Sequence, residues 1–347
     1  MLQEQLNQRK LPPLRSREEM LDLLQREEYG YLPSLPDTLT WENSTVLSNF
    51  CAGKATLQKL SLTVTVKANT FTFPVYAAIP TANGPHPFFL HINFRDDIPD
   101  RYMPSEELID HGFAVLSFCY KDVTSDDGDF SNGLAALFYP DGKRGATDAG
   151  KIALWAWAAQ RVMDYAVTDS RLDTSCAIVC GHSRLGKTAL FAAATDERFA
   201  FAHSNNSGCS GASLARGKCS GGERIADICR NFPYWFCENY LRYVDREDAL
   251  PFDQHALLAC LAPRYVSVAS AAGDIWADPT GEFLCCVAAS EAYRAYGLDG
   301  FICEDRLPTI GDAYHKGHIG YHLRAGTHYF SREDWLQLIA FIRTHTN

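Results

Sequence analysis

The sequence predicts an α/β architecture, a three-layer αβα sandwich built on a mainly parallel sheet. Three observations carry that expectation. Short, largely apolar runs at 88–92, 113–119, 176–180, 199–203 and 265–269 alternate with stretches of helical periodicity. A strand covered on both faces reads as a continuous apolar run, and parallel neighbours need a crossover between them, usually a helix. The 347 residues are 46% hydrophobic and 12% aromatic, enough to fill such a core, which excludes intrinsic disorder and a fibrous chain.

Taken in order, residues 17–28 (REEMLDLLQREE) put Met20, Leu21, Leu23 and Leu24 at helical spacing, and Gly30 followed by Pro33 stops the helix. Residues 57–66 and 70–79 are β-rich and are separated by Lys67, Ala68 and Asn69, which predicts an antiparallel hairpin. Helices at 105–111, 147–167, 185–195, 222–230, 280–296 and 332–344 then separate the apolar strands. Trp155 and Trp157 fall on the second of these and are expected to pack it into the core. The stretch 204–251, rich in Gly, Ser, Cys and aromatics, reads as a cap-like insertion at the surface near the strand ends, where open α/β sheets place their sites. At roughly 150 residues per domain the length leaves two domains open, but no linker or repeat interrupts the pattern. One domain over 1–347 is expected, with the helix and hairpin of 17–80 at its start.

Charge and composition narrow the partners. With 32 Lys+Arg against 42 Asp+Glu the formal charge is −10, and no basic cluster stands out, so neither nucleic acid nor an anionic membrane is an expected partner. The first residues lack an apolar signal-peptide core, and no run of 18 apolar residues follows; the chain as written is expected in the cytoplasm, or outside the cell if a leader has been removed. Twelve cysteines could form disulfides in an oxidising compartment. Cys119, Cys176, Cys180 and Cys260 lie in apolar runs, however, and buried free thiols are the expectation. No CxxC pair supports a zinc site. Oligomeric state is left open.

Residues 176–190 (CAIVCGHSRLGKTAL) form a strand, a Gly-containing turn and a helix that satisfy two signatures. Gly181, Gly186, Lys187 and Thr188 match GxxxxGK[ST], the phosphate-binding P-loop. Gly181, His182 and Ser183 match the nucleophile elbow of α/β-hydrolases, with the second glycine one place late as GxSxxG. The elbow needs an acid after a later strand and a His near the C-terminus, in the order Ser, Asp/Glu, His. VSVASAAGD supplies Asp274 beyond a strand, with Asp278 as a rival, and RAGTHYF supplies His328 ahead of the last helix. Ser183 has a plainer alternative as a helix N-cap. His315, His318, His322 and His328 follow a loose HxxHxxxH spacing without the usual carboxylate partner, and neither a metal nor another cofactor is expected.

The blocks GHSRLGK, NNSGCSGASLAR, GERIADICRNFPYWF, DIWADPTGEF and GYHLRAGTHYF resemble carbohydrate esterase family 15, the glucuronoyl esterases and their bacterial acetyl-xylan-esterase-like relatives. The opening REEMLDLLQREEYGYLP is also similar to the bacterial members. The resemblance implies an α/β-hydrolase fold without a metal, and cleavage of the ester between a 4-O-methyl-glucuronate of xylan and a lignin alcohol. It assigns Ser183 as nucleophile, His328 as general base and Arg184 as a stabiliser of the oxyanion. Lys187, Glu223 and Trp276 match positions that contact the uronate. The acid position of the fungal enzymes falls on Asn206, so the acid role passes to Asp274, as in some bacterial relatives. A second sugar-contacting Glu falls on Asn231.

The expected partner is thus a small carbohydrate ester. Alternatives are an acetylated sugar or other small ester on the same fold, a P-loop nucleotide-binding protein, and a carbohydrate-binding pseudoenzyme should Asp274 not serve as the acid.

Overall fold

The computed structural model describes residues 1–100 and 103–346. They build one ten-stranded sheet from β1 (Thr38–Phe50), β2 (Ala55–Val66), β3 (Asn69–Pro80), β4 (His86–Asn93), β5 (Ala114–Cys119), β6 (Leu172–His182), β7 (Phe201–Asn205), β8 (Tyr265–Ala271), β9 (Ala313–Tyr314) and β10 (Ile319–Arg324). The spatial order is β1-β2-β3-β5-β4-β6-β7-β8-β10-β9. From β5 to β10 neighbours run parallel, and the flanks, β1 to β3 on one side and β9 on the other, are antiparallel.

The predicted hairpin is β2–β3, paired from Ala55↔Pro80 to Val66↔Asn69. Lys67 and Ala68 close it at φ 49° and 67°. A two-residue turn with both central residues at positive φ twists with its strands.

The apolar runs are continuous because alternate side chains enter two cores. On β4, Phe88, Leu90 and Ile92 join one and Phe89 the other; on β6, Ala177 and Val179 face Ile178 and Cys180 across the sheet. The first core is covered by helices Lys151–Ala166, Arg184–Thr195 and Pro279–Arg294, the second by Ser105–Asp110 and Arg332–Thr346. Trp155 and Trp157 are fully buried in the first. All twelve cysteines are free thiols. Among the described residues no helix is long and apolar enough to cross a membrane.

Several elements differ from expectation. The helix expected from 147 begins at Lys151, because Gly150 is extended at φ −73° and ψ 174° and stands as the N-cap. The helix at 17–28 is Arg17–Leu24, opened by a Ser16/Glu19 capping box and extended by a π-turn to Tyr29. Strands β1, β9 and β10 are additional. Within 204–251, residues 204–216 are buried throughout while 217–251 mix buried and exposed positions, and the region is bonded to the N-terminal segment by Tyr29 Oη–H to the Ser210 carbonyl and Cys237 N–H to the Glu28 carbonyl. Its apolar and small residues fill space between the sheet end and that segment.

Candidate active site

The C-terminal end of β6 runs directly into a helix through Ser183, which sits at φ 57° and ψ −128°. Few side-chain-bearing residues adopt that conformation, and it stores about 1–3 kcal/mol of strain. The turn is held by Ser183 N–H to the Asn205 carbonyl and by Gly186 and Lys187 N–H to the Ser183 carbonyl. Both glycines of GxSxxG are sterically required. A Cβ on Gly181 would lie 2.2 Å from the Leu185 carbonyl oxygen, and one on Gly186 would lie 2.9 Å from Ser204 Oγ. The helix can therefore fold back over its strand and approach β7. Ser183 makes no side-chain capping bond, so the N-cap alternative fails.

The P-loop alternative fails on the same helix. Lys187 is buried, and its ammonium donates to the carbonyls of Ser207 and Cys209 and to Glu223 Oε2. Its three protons are thereby taken. Thr188 is fully buried with its hydroxyl on the Arg184 carbonyl, out of reach of a magnesium ion.

Asp274 and His328 come from loops beyond β8 and β10 and meet here. His328 Nδ1 is 2.6 Å from Asp274 Oδ2, and Asn206 Nδ2 donates to the same oxygen at 2.9 Å. Burial pushes the Asp274 carboxyl up, but its bonds from His328 and Asn206 prevail and hold it below the usual carboxylate range. The rival Asp278 is engaged elsewhere. It caps helix Pro279–Arg294 through Gly281 N–H, accepts from Ser213 and pairs with buried Lys218. Among the described residues no hydrogen bond joins Ser183 to His328, and the Nε2 of His328 is uncommitted. His322, another of the four spaced histidines, bonds Asp334 at 2.9 Å, away from His328.

Ser183, Arg184, Lys187, Glu223, Asp274, Trp276 and His328 all line one cavity of about 300 Å³. Glu223 links two of them, accepting from Lys187 and, at 3.2 Å, from the indole N–H of Trp276. Trp276 is 48% exposed, so it is a rim residue rather than core. Glu223 precedes helix Ile225–Asn231 by two residues and is buried by these contacts.

Two residues that the sequence reading did not single out hold Arg184: Trp235, which lines the cavity, and Asp126, which lies behind it. Asp126, on the loop after β5, accepts from Arg184 Nη1, from Tyr120 Oη and from Trp235 Nε1. The Arg184 guanidinium also lies over the Trp235 ring, 4.4 Å from its centroid. Its Nε is buried without a partner among the described residues. The polar run SDDGDFSN after an apolar strand is the signal that could have flagged Asp126.

Comparison with known proteins decides the family. A family model described as glucuronyl esterase of fungi matches residues 62–297. The glucuronoyl esterase from Solibacter usitatus superposes with a TM-score of 0.87 at 32% identity, covering 95% of this chain and 92% of that one. A carbohydrate esterase, MZ0003, from an unknown prokaryotic organism is 42% identical over 69% of this chain and 55% of its own length. The chain belongs to carbohydrate esterase family 15, the glucuronoyl esterases. The 4-O-methyl-glucuronoyl methylesterase of Podospora anserina is more distant, 27% identical over 82% of this chain and 56% of its own length. The chain thus spans about half the length of the curated relatives it matches.

Membership in family 15 fixes the fold as that of an α/β-hydrolase. It also brings the two departures from the fungal pattern into focus. Asn206 stands beside Asp274 and donates to it, whereas Asn231, at the end of its helix, is exposed and is not among the residues lining the cavity.

Proposed function

We propose that the protein is a single-domain serine esterase that hydrolyses a 4-O-methyl-glucuronoyl ester through an acyl-enzyme. The observation that carries this is the convergence of an elbow serine, a carboxylate-bound histidine and a mixed lining of charged groups and indole rings (Arg184, Glu223, Trp235, Trp276) on one cavity of about 300 Å³.

Ser183 Oγ attacks the ester carbonyl while His328 Nε2 takes its proton. Asp274 accepts the Nδ1–H, fixing the tautomer and stabilising the imidazolium. Negative charge develops on the carbonyl oxygen, which Arg184 receives through its guanidinium and through a backbone N–H that, in the first helical turn, has no intrahelical acceptor. Asp126 and the Trp235 ring hold the guanidinium in place. The imidazolium then protonates the leaving alcohol, and water repeats the cycle. Glu223 and the exposed Trp276 are suited to bind the sugar hydroxyls and ring face. Lys187, with its protons already engaged, orders Glu223 and the 207–209 backbone, and a sugar hydroxyl would have to exchange with one of those acceptors. The hydrogen bond between Asp274 and His328 argues against a pseudoenzyme.

The test pairs labelling with substrate choice. A fluorophosphonate should modify Ser183, located by mass spectrometry, and the Ser183→Ala variant should lose both label and turnover. The methyl ester of 4-O-methyl-glucuronate should be cleaved in preference to acetylated xylo-oligosaccharides. Preference for the acetyl substrates would keep the mechanism but overturn the substrate, and no label on Ser183 would overturn both.

A further inference from the structure

His328 is shared by two cavities. One is the 300 Å³ space just described; the other, of about 490 Å³, shares only His328 with it and is lined by the end of β4 and the loop after it. Its walls include Phe94 and Phe330, with the His182 ring 4.4 Å from that of His328. At its rim Asp96 and Asp97 are exposed, and neither has a hydrogen bond or ion pair among the described residues. The cationic lining residue, Arg95, is paired with Asp100 at 3.4 Å. His91 and His182 add no positive charge, because burial pushes both down to about 3. His91 also lines this cavity; it is only 2% exposed, and its buried Nδ1 lacks a partner among the described residues. A buried polar atom in that state calls for a ligand or water to satisfy it.

Resting on the esterase reading above, we infer that this second cavity receives the leaving alcohol and that Asp96 and Asp97 select it by charge, favouring neutral, hydroxyl-bearing aryl alcohols over anionic ones. The geometry follows from proton transfer. His328 Nδ1 is held by Asp274, so Nε2 must hand its proton to the departing oxygen, and the alcohol must lie against His328. The acyl half is accommodated by the cavity that contains Arg184, Glu223 and Trp276. The alcohol half is left with the side lined by Phe94 and Phe330, which offers aromatic faces and, at the rim, two uncommitted carboxylates. These accept hydroxyl donors and repel a carboxylate.

The test uses three esters of 4-O-methyl-glucuronate: methyl, 4-(hydroxymethyl)benzyl and 4-carboxybenzyl, with kcat/KM measured at low salt. The wild-type protein should cleave the hydroxymethylbenzyl ester about tenfold better than the carboxybenzyl ester, and added salt should narrow the gap. In the Asp96→Asn/Asp97→Asn variant the ratio of the two benzyl esters should fall to within about twofold of unity. Partial unfolding would lower all three esters together and leave that ratio unchanged. A ratio that is the same in variant and wild type, or a wild-type preference for the carboxybenzyl ester, would overturn the inference. Failure of the wild-type protein to cleave any of the three would overturn the esterase reading along with it.

Discussion

Replacing Asp274 by Asn tests the catalytic assignment most directly. The carboxylate is 5% exposed, and one oxygen takes both His328 Nδ1 at 2.6 Å and Asn206 Nδ2 at 2.9 Å. The backbone N–H of Ala277 donates to the Asp274 backbone carbonyl at 3.1 Å and so leaves the side chain to these two partners. An amide cannot reproduce both the charge and the acceptor at this position. With its oxygen toward His328, the negative charge opposite the imidazolium is lost. With its NH₂ toward His328, the imidazole is driven to the tautomer that cannot take a proton at Nε2. The first case removes a charge-assisted hydrogen bond worth about 1.5–3 kcal/mol, roughly 10- to 150-fold in rate. The second approaches the ~10⁴-fold loss known for the equivalent change in a serine protease triad. The expected fall in kcat is therefore between about 10-fold and 10⁴-fold, measured on the methyl ester and normalised to active sites titrated with a fluorophosphonate. Asn206→Ala removes one donor and leaves the His328 bond, so about tenfold or less is expected. The assignment is falsified if Asp274→Asn retains more than a tenth of wild-type kcat, or if Asn206→Ala is the more damaging change.

Three other outcomes follow from the same contacts. Asp126→Asn removes the charge that anchors the Arg184 guanidinium, and kcat should drop about ten- to a hundredfold, short of the ~3 kcal/mol for complete loss of an oxyanion donor; an unchanged kcat would show that Arg184 needs no such anchor. Asp278→Asn keeps a capping side chain but leaves Lys218, buried beside it, without its anion. Stability should fall by about 3 kcal/mol in denaturant melts while kcat of the folded fraction stays within a few-fold; a loss of kcat like that of Asp274→Asn would move the acid role to Asp278. Glu282 is fully buried, accepts from Gly208 N–H and Ser270 Oγ–H, and is pushed up to about 8 by burial. A raised carboxyl contributes stability below its unfolded value near 4.5 that is lost as pH rises through about 8. The Glu282→Gln variant should therefore lose less melting temperature than wild type between pH 6 and pH 9.5, and equal losses would count against a protonated Glu282.

The legibility of this chain tracks how local each signal is. Strands β4 to β8 could be read because each is buried on both faces and spells out an apolar run. β1 could not: almost all of Thr38–Phe50 is exposed, so no hydrophobic pattern marks it, and its pairing with β2 supplies the order. β10 is buried yet polar, since His322 and Arg324 spend their hydrogen bonds on Asp334 at 2.8–2.9 Å. An apolar-run criterion passes over such a strand.

The sequence by itself determined the αβα layering, the elbow at GHSRLG, and a Ser, Asp, His order compatible with hydrolase chemistry, because each depends on neighbours in the chain or on order along it. It could not choose between Asp274 and Asp278, four residues apart in one loop. It could not show that Lys187 has its protons engaged, nor that Asp126, fifty-eight positions before Arg184, grips the guanidinium. Those are distances between side chains on different strand ends. Only packing the helices on both faces of the sheet brings the loops after β5, β6, β7, β8 and β10 to one edge, where a few ångströms decide which carboxylate meets His328 and which caps a helix.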